Sequence, residues 1–182
     1  MSTITVTTDA GIQMPRLIYG TAWKKEATTS LVTKAILNGF RGIDTACEPK
    51  HYSEDLVGQA LLEFQTKHNI SILHSPLQSH AINMQVYREF EKFVHDGRVK
   101  QLGISNLYDL NGLKRLYKDA RHKPSVIQNR FYAETNFDND IRQFCRENNI
   151  VYQSFWTLTA NPEILNHSLI KQLAQESHGT SE

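Results

Sequence analysis

The sequence predicts an α/β fold, an incomplete (β/α)8 barrel of the TIM type with about six central strands. Apolar strand segments alternate with amphipathic helical segments along the chain. That order implies parallel pairing through right-handed crossovers. Four of the strands end on hydrogen-bonding side chains: Gly42-Ile43-Asp44-Thr45, Ile72-Leu73-His74-Ser75, Gly103-Ile104-Ser105-Asn106 and Val126-Ile127-Gln128-Asn129. Polar groups at the C-terminal ends of parallel strands build the working face of such a barrel. No Gly-x-Gly-x-x-Gly follows the first strand, which disfavours an open dinucleotide-binding sheet. A closed barrel uses eight strands and typically about 250 residues. With 182 residues the barrel is expected to be incomplete.

Each element follows from local chemistry. Thr3 to Thr7 alternates β-branched residues, Asp9-Ala10-Gly11 is a turn, and Ile12 to Met14 returns as a hairpin. Leu17-Ile18-Tyr19 is an apolar strand closed by Gly20-Thr21. Thr28 or Thr29 caps a helix that carries Leu31, Val32, Ala35 and Ile36, and Gly39 stops it. Phe40 to Asp44 is the next strand. Ser53 caps a helix with Leu56, Val57, Ala60, Leu61 and Phe64 on one face. Ser71 to His74 is a strand, followed by a helix over Asn83 to Asp96 with Val86, Phe90, Phe93 and Val94 inward and Gly97 at its end. Val99 to Ile104 and Ser125 to Gln128 are strands on either side of a helix over Leu107 to Lys118. A helix over Asp138 to Asn148 opens on an acidic first turn, Ile150 to Phe155 is a strand, and Pro162 to Gln175 is a helix. The polar tail from Glu176 to Glu182 is expected to fray.

A hydrophobic share of 40% and a charged share of 21% suit one globular domain over residues 1–182. Twenty basic against 19 acidic residues leave a net charge of +1, so no footprint for nucleic acid or for an anionic membrane is present. No apolar run reaches the roughly 20 residues of a membrane span, and Met1-Ser2-Thr3-Ile4-Thr5 lacks the basic and apolar regions of a secretory leader. Cys47 and Cys145 stand far apart and are read as reduced thiols of a cytoplasmic protein. His51, His68, His80, His95, His122, His167 and His178 have no metal-ligand spacing and are read as surface residues, with no metal site expected. Oligomeric state is left open.

Asp44-Thr45-Ala46 is followed by Tyr52, Glu54 and Val57-Gly58, so a loop delivers a phenol to a helix start close after a strand-end carboxylate. Taken singly, Asp44 reads as a cap, Tyr52 as a packing residue, His74 as a core histidine, and Ser105-Asn106 as the N-cap of the helix at Leu107. Phe155 and Trp156 alternate along a strand, one toward the site and one outward. The ordered set changes the weighing. Met14-Pro15, Gly20-Thr21-Ala22-Trp23, Asp44-Thr45-Ala46, Tyr52-Ser53-Glu54, His74-Ser75-Pro76, Gly97-Arg98-Val99, Gly103-Ile104-Ser105-Asn106 and Gln128-Asn129 together resemble the aldo-keto reductase family. Phe155-Trp156-Thr157-Leu158 stands where that family has an aromatic followed by Ser-Pro-Leu.

The resemblance implies an NADPH-dependent reduction of small aldehydes, ketones or sugars. It implies catalytic roles for Asp44, Tyr52 and His74. Tyr52 is the proton donor, and His74 orients the substrate carbonyl. Gly20, Thr21, Asp44, Ser105, Asn106, Gln128 and the stacking ring of Phe155 are implied to hold the cofactor. Trp23 and His74 are implied to meet the substrate. The family's tetrad also contains a lysine that lowers the phenol's pKa and pairs with the aspartate. Here Asn69-Ile70 runs directly into Ser71-Ile72-Leu73-His74, with no room for the strand that carries it. Lys67 follows Ser53 by about 14 residues, roughly 21 Å along a helix at 1.5 Å per residue, which puts it at the wrong end of the barrel. Lys50 is the remaining candidate cation. The family's last strand and its basic adenosine-phosphate site have no counterpart after Leu173. Two readings follow: a reductase of impaired activity, or an inactive shortened product that acts, if at all, by binding a partner.

Overall fold

The computed structural model describes residues 5–46, 48–63, 71–74, 79–158, 160–177 and 179. The chain falls into two compact units, residues 1–69 and 70–182. The boundary lies beside the Ile70-Ser71 junction at which the sequence reading places a missing strand and helix.

In the first unit, β1 (Thr5–Thr7) pairs antiparallel with β2 (Gln13–Pro15), with Val6 opposite Met14. The expected turn closes it: Thr8 N–H donates to Ile12 O and Gly11 N–H to Thr8 O, with Gly11 at φ +74°. β3 (Ile18–Gly20) and β4 (Gly42–Asp44) are parallel, and Gly20 lies opposite Asp44. α1 (Thr28–Leu37) and α2 (Glu54–Glu63) bury Val32, Val57 and Ala60, with Tyr19, Ile36, Ile43 and Leu61 packed around them.

Helix α1 ends as expected. Gly39, at φ +98°, donates to Ile36 O, and Phe40 N–H donates to Ala35 O, the paired bonds of a glycine-terminated helix. Its start differs from expectation. Ala27 is the N-cap and has no side-chain bond. A 3-10 turn over Lys25–Ala27 already feeds the helix, so the Thr28 hydroxyl donates back to Lys25 O, while Thr29 Oγ1 donates to Leu56 O at 2.9 Å and ties α1 to α2. For α2, the Ser53 carbonyl accepts from Leu56 and Val57 N–H. Phe64 and Cys47 lie outside the described residues.

The second unit is a four-stranded parallel sheet in the order β5 (Ser71–His74), β6 (Leu102–Ser105), β7 (Val126–Arg130), β8 (Val151–Phe155). Its helices are α3 (His80–His95), α4 (Leu110–Asp119), α5 (Asn139–Glu147), α6 (Pro162–Leu165) and α7 (Ser168–Glu176). Parallel pairing thus joins β3 to β4 in the first unit and the four sheet strands in the second. Ile104, Ile127 and Tyr152 form one row across β6, β7 and β8. They pack with Tyr87, Leu113, Leu116, Ile141 and Cys145 from the helices. Side chains alternate along a strand. The helix-facing row therefore assigns Ser105, Gln128, Arg130, Gln153 and Phe155 to the opposite face.

Three expectations are corrected here. α3 begins at His80, capped by Ser79 Oγ accepting from Ile82 N–H, and Val86 is exposed. Met84, Tyr87 and Glu91 take the inner face because Tyr87 OH donates to His122 O and the Glu91 carboxylate accepts from the backbones of Arg121 and His122. Ser105-Asn106 is not a helix cap: α4 starts later, and Asp109 accepts from Asn111 and Gly112 N–H. α5 opens on the expected acidic first turn, which holds Asp140, and its N-cap residue is Asp138. Asp138 is buried at φ +49°, and its Oδ2 accepts from Asn129 Nδ2 at 2.7 Å and from Tyr152 OH at 2.9 Å. The helix expected from Pro162 to Gln175 breaks at Asn166-His167, because His167 Nδ1 accepts from Leu169 N–H and restarts the chain as α7.

Candidate functional site

The site residues of the first unit gather at the C-terminal ends of β3 and β4. Thr21 is fully buried, and both its N–H (3.1 Å) and its hydroxyl (2.8 Å) donate to the carbonyl of Asp44. That double bond fixes the strand end that carries the Asp44 carboxylate, and it uses the Thr21 hydroxyl to do so. Trp23 follows at φ +63° and is about half exposed. Its N–H donates to His51 O at 2.7 Å, and its ring lies 3.8 Å from that of His51. The loop back to Tyr52 is a tight turn in which Glu48 O accepts from both His51 and Tyr52 N–H.

Burial raises the pKa of the Tyr52 phenol, and the negative charges of Asp44 and Glu48 raise it further. Asp44 and Tyr52 thus interact electrostatically, in the direction that holds the proton on. Lys50 is exposed. His51, read from sequence as a surface residue, is instead partly buried. Its Nε2 faces Glu48 at 3.5 Å, and its Nδ1 is buried without a hydrogen-bond partner among the described residues, as is Thr45 Oγ1. No spacing rule marks such a residue; the aromatic at Trp23 is the only sequence signal.

The second unit holds the other expected residues, also at C-terminal strand ends. His74 closes β5 in register with Ser105 of β6. Its backbone alone is described. Ser105 in turn pairs with Gln128, and Gln128 with Gln153, so a polar row crosses three strands. Asn106 sits at φ +59°, donates its N–H to Gln128 O and its Nδ2 to Ser105 Oγ at 3.0 Å, and accepts from Tyr108 OH. Tyr108 OH accepts from Arg130 N–H at 3.1 Å, and burial raises its pKa. Asn129 points the other way, toward the helices. It bonds both backbone groups of Leu107 as well as Asp138, and so locks the loop that carries Asn106.

Phe155 ends β8 opposite Arg130, with the Trp156 ring edge-on at 5.9 Å. Trp156 has left the strand, at φ +55°, so the two aromatics do not alternate as expected. Gln153, Arg130 and Tyr108 join this face without having been singled out in the sequence. The i, i+2 spacing of Gln128 and Arg130 is the signal that was available. Among the described residues no group of His, Cys, Asp and Glu is placed to hold a metal ion.

The family model described as "Aldo/keto reductase family" matches residues 65–162, more than half of the chain. The chain belongs to the aldo/keto reductase family. Glyoxal reductase of Bacillus subtilis is 25% identical, over 97% of this chain and 75% of that protein. The matched span is 213 positions, longer than this chain's 182 residues, so the relative carries residues inside the span that this aldo/keto reductase chain lacks. Two solved structures share the fold. The aldo/keto reductase from Brucella melitensis superposes with a TM-score of 0.83 at 24% identity, covering 99% of this chain and 81% of that one. The aldo-keto reductase AKR2E5, solved complexed with NADPH, gives 0.79 at 17% identity, covering 99% and 73%. The fold is therefore the TIM-barrel type of these reductases, covered in part. No helix among the described residues is long and apolar enough to cross a membrane.

Proposed function

We propose that this aldo/keto reductase chain is a cytoplasmic oxidoreductase that binds NADPH and reduces small aldehydes, ketones or sugars with impaired turnover. The observation that carries the impairment is the Tyr52 phenol, whose pKa is raised by burial and by Asp44 and Glu48. A proton donor of this kind works best when a neighbouring cation lowers its pKa toward the working pH. The Ile70-Ser71 junction leaves out the family's lysine-bearing strand, and the 213-position match to glyoxal reductase supports a loss within the chain.

The donor set of the second unit fits the nicotinamide end of the cofactor. Ser105, Asn106 and Gln128 offer hydroxyl and amide groups on adjacent strands, and Phe155 supplies a ring two residues beyond Gln153 on the same face. Bound NADPH supplies hydride to the carbonyl carbon. In the roles taken from the family, Tyr52 delivers the proton to the oxygen, His74 hydrogen-bonds and orients that oxygen, and Asp44 supports the phenol. In the same family roles Trp23 would meet the substrate, and Gly20 and Thr21 would help to hold the cofactor.

The test is NADPH oxidation by the purified chain with a simple aldehyde, against Tyr52→Phe. Slow turnover that the substitution abolishes is the expected result. A kcat near 10 s⁻¹, typical of enzymes, would show that the proton donor is not impaired. No turnover together with no NADPH binding would leave the second reading, an inactive product, in its place.

A further inference from the structure

We infer that Arg130 is an anion-recognition residue, and that the carbonyl compounds this chain prefers carry a carboxylate. The inference rests on the proposed reductase reading for the carbonyl, while the anion site stands on Arg130 itself. Arg130 is the last residue of β7, two positions beyond Gln128 and on the same strand face. Its guanidinium carbon lies 4.1 Å from the Tyr132 ring centroid and 5.3 Å from that of Trp156. Trp156 stands at φ +55°, an uncommon state for a bulky residue. Tyr108 OH accepts the Arg130 backbone N–H and so fixes the root of the side chain.

The aromatic rings orient the guanidinium, yet among the described residues no carboxylate stands within ion-pair distance of it. Its Nε–H is buried with no hydrogen-bond partner among the described residues. A buried donor without an acceptor is unfavourable and rare in native proteins. It is accounted for if the acceptor arrives with the ligand. The planar fork of a guanidinium matches the two oxygens of a carboxylate.

The test measures heats of binding of 4-carboxybenzaldehyde and of its uncharged methyl ester, with and without NADPH. The acid is expected to bind about tenfold tighter than the ester, the worth of one charge-assisted bond. Arg130→Gln is expected to erase that preference and leave ester binding unchanged, and Arg130→Lys to restore part of it; melting curves check that each variant folds. Equal binding of acid and ester to the unmodified chain overturns the inference, as does a preference that survives Arg130→Gln. If Arg130→Gln instead weakens NADPH and spares the acid, the anion is a cofactor phosphate and the substrate assignment is overturned. Failure to oxidise NADPH with the ester counts against the reductase reading alone, because acid binding is read by heat.

Discussion

Single side chains decide how far the strand ends are fixed. Asn129 spends its amide on Leu107 N–H, Leu107 O and Asp138, all buried. Asn129→Ala would strand these groups and should destabilise the chain by about 3 kcal/mol, read from urea denaturation. Cys145 is a packing residue. Burial first, and then the charge of Asp138, push its thiol up from 9.0 to about 12. A raised folded pKa favours the neutral thiol, so its contribution is complete below pH 9 and is lost as pH rises toward 12. Stability measured across that window should fall, and peptide mapping at pH 8 should find Cys145 unlabelled by a thiol reagent until the chain is denatured. Tyr52 follows the same sign: its proton stays on past the ordinary phenol range. Any reductase activity should therefore show no loss attributable to Tyr52 up to about pH 10.

At the scale of elements, α4 is the clearest case of a helix set by its first turn. Asp109 accepts from two backbone N–H groups there, and Asp109→Ala should cost about 1 kcal/mol in thermal or chemical melts. Gly112 looks like a flaw, since glycine inside a helix is about 1 kcal/mol worse than alanine. However, a Cβ at Gly112 would meet Asp109 Oδ2 at 2.8 Å. Gly112→Ala should therefore fail to stabilise the chain and should lower its melting temperature. A similar constraint acts at Gly42, where a Cβ would lie 2.9 Å from Ile18 Cγ1 in the β3–β4 pair. Glycine permits this close approach of neighbouring strands. Neither glycine announces its role in the sequence, because the clashing partner is supplied by folding.

For the whole molecule, the parallel pair of the first unit, the four-stranded parallel sheet of the second and the family match describe a reductase fold present in part. Relatives contain residues inside the matched span that are missing here. A near-UV circular dichroism melt with and without NADPH tests what remains. A cooperative transition that the cofactor shifts upward is expected, since a ligand of the native state raises apparent stability. Loss of both the transition and the shift would remove the proposed function.

The sequence by itself determined what depends on local geometry. The Asp9-Ala10-Gly11 hairpin, the Gly39 stop, strand β5, the order of strands and helices, and the polar strand ends at Asp44, His74 and Ser105 were all legible, whereas β7 runs two residues past Gln128, to Arg130. Periodicity and turn chemistry act within a few residues. Tertiary structure decided whatever depends on a distant partner. Tyr87 and Glu91 set the face of α3 because they reach the turn before β7. Asp138 turned inward because Asn129 and Tyr152 were there to donate to it. His51 came to lie against the Trp23 ring, and Arg130 against Tyr132 and Trp156. A buried polar group goes where its hydrogen bonds can be satisfied, and that is a property of the assembled fold.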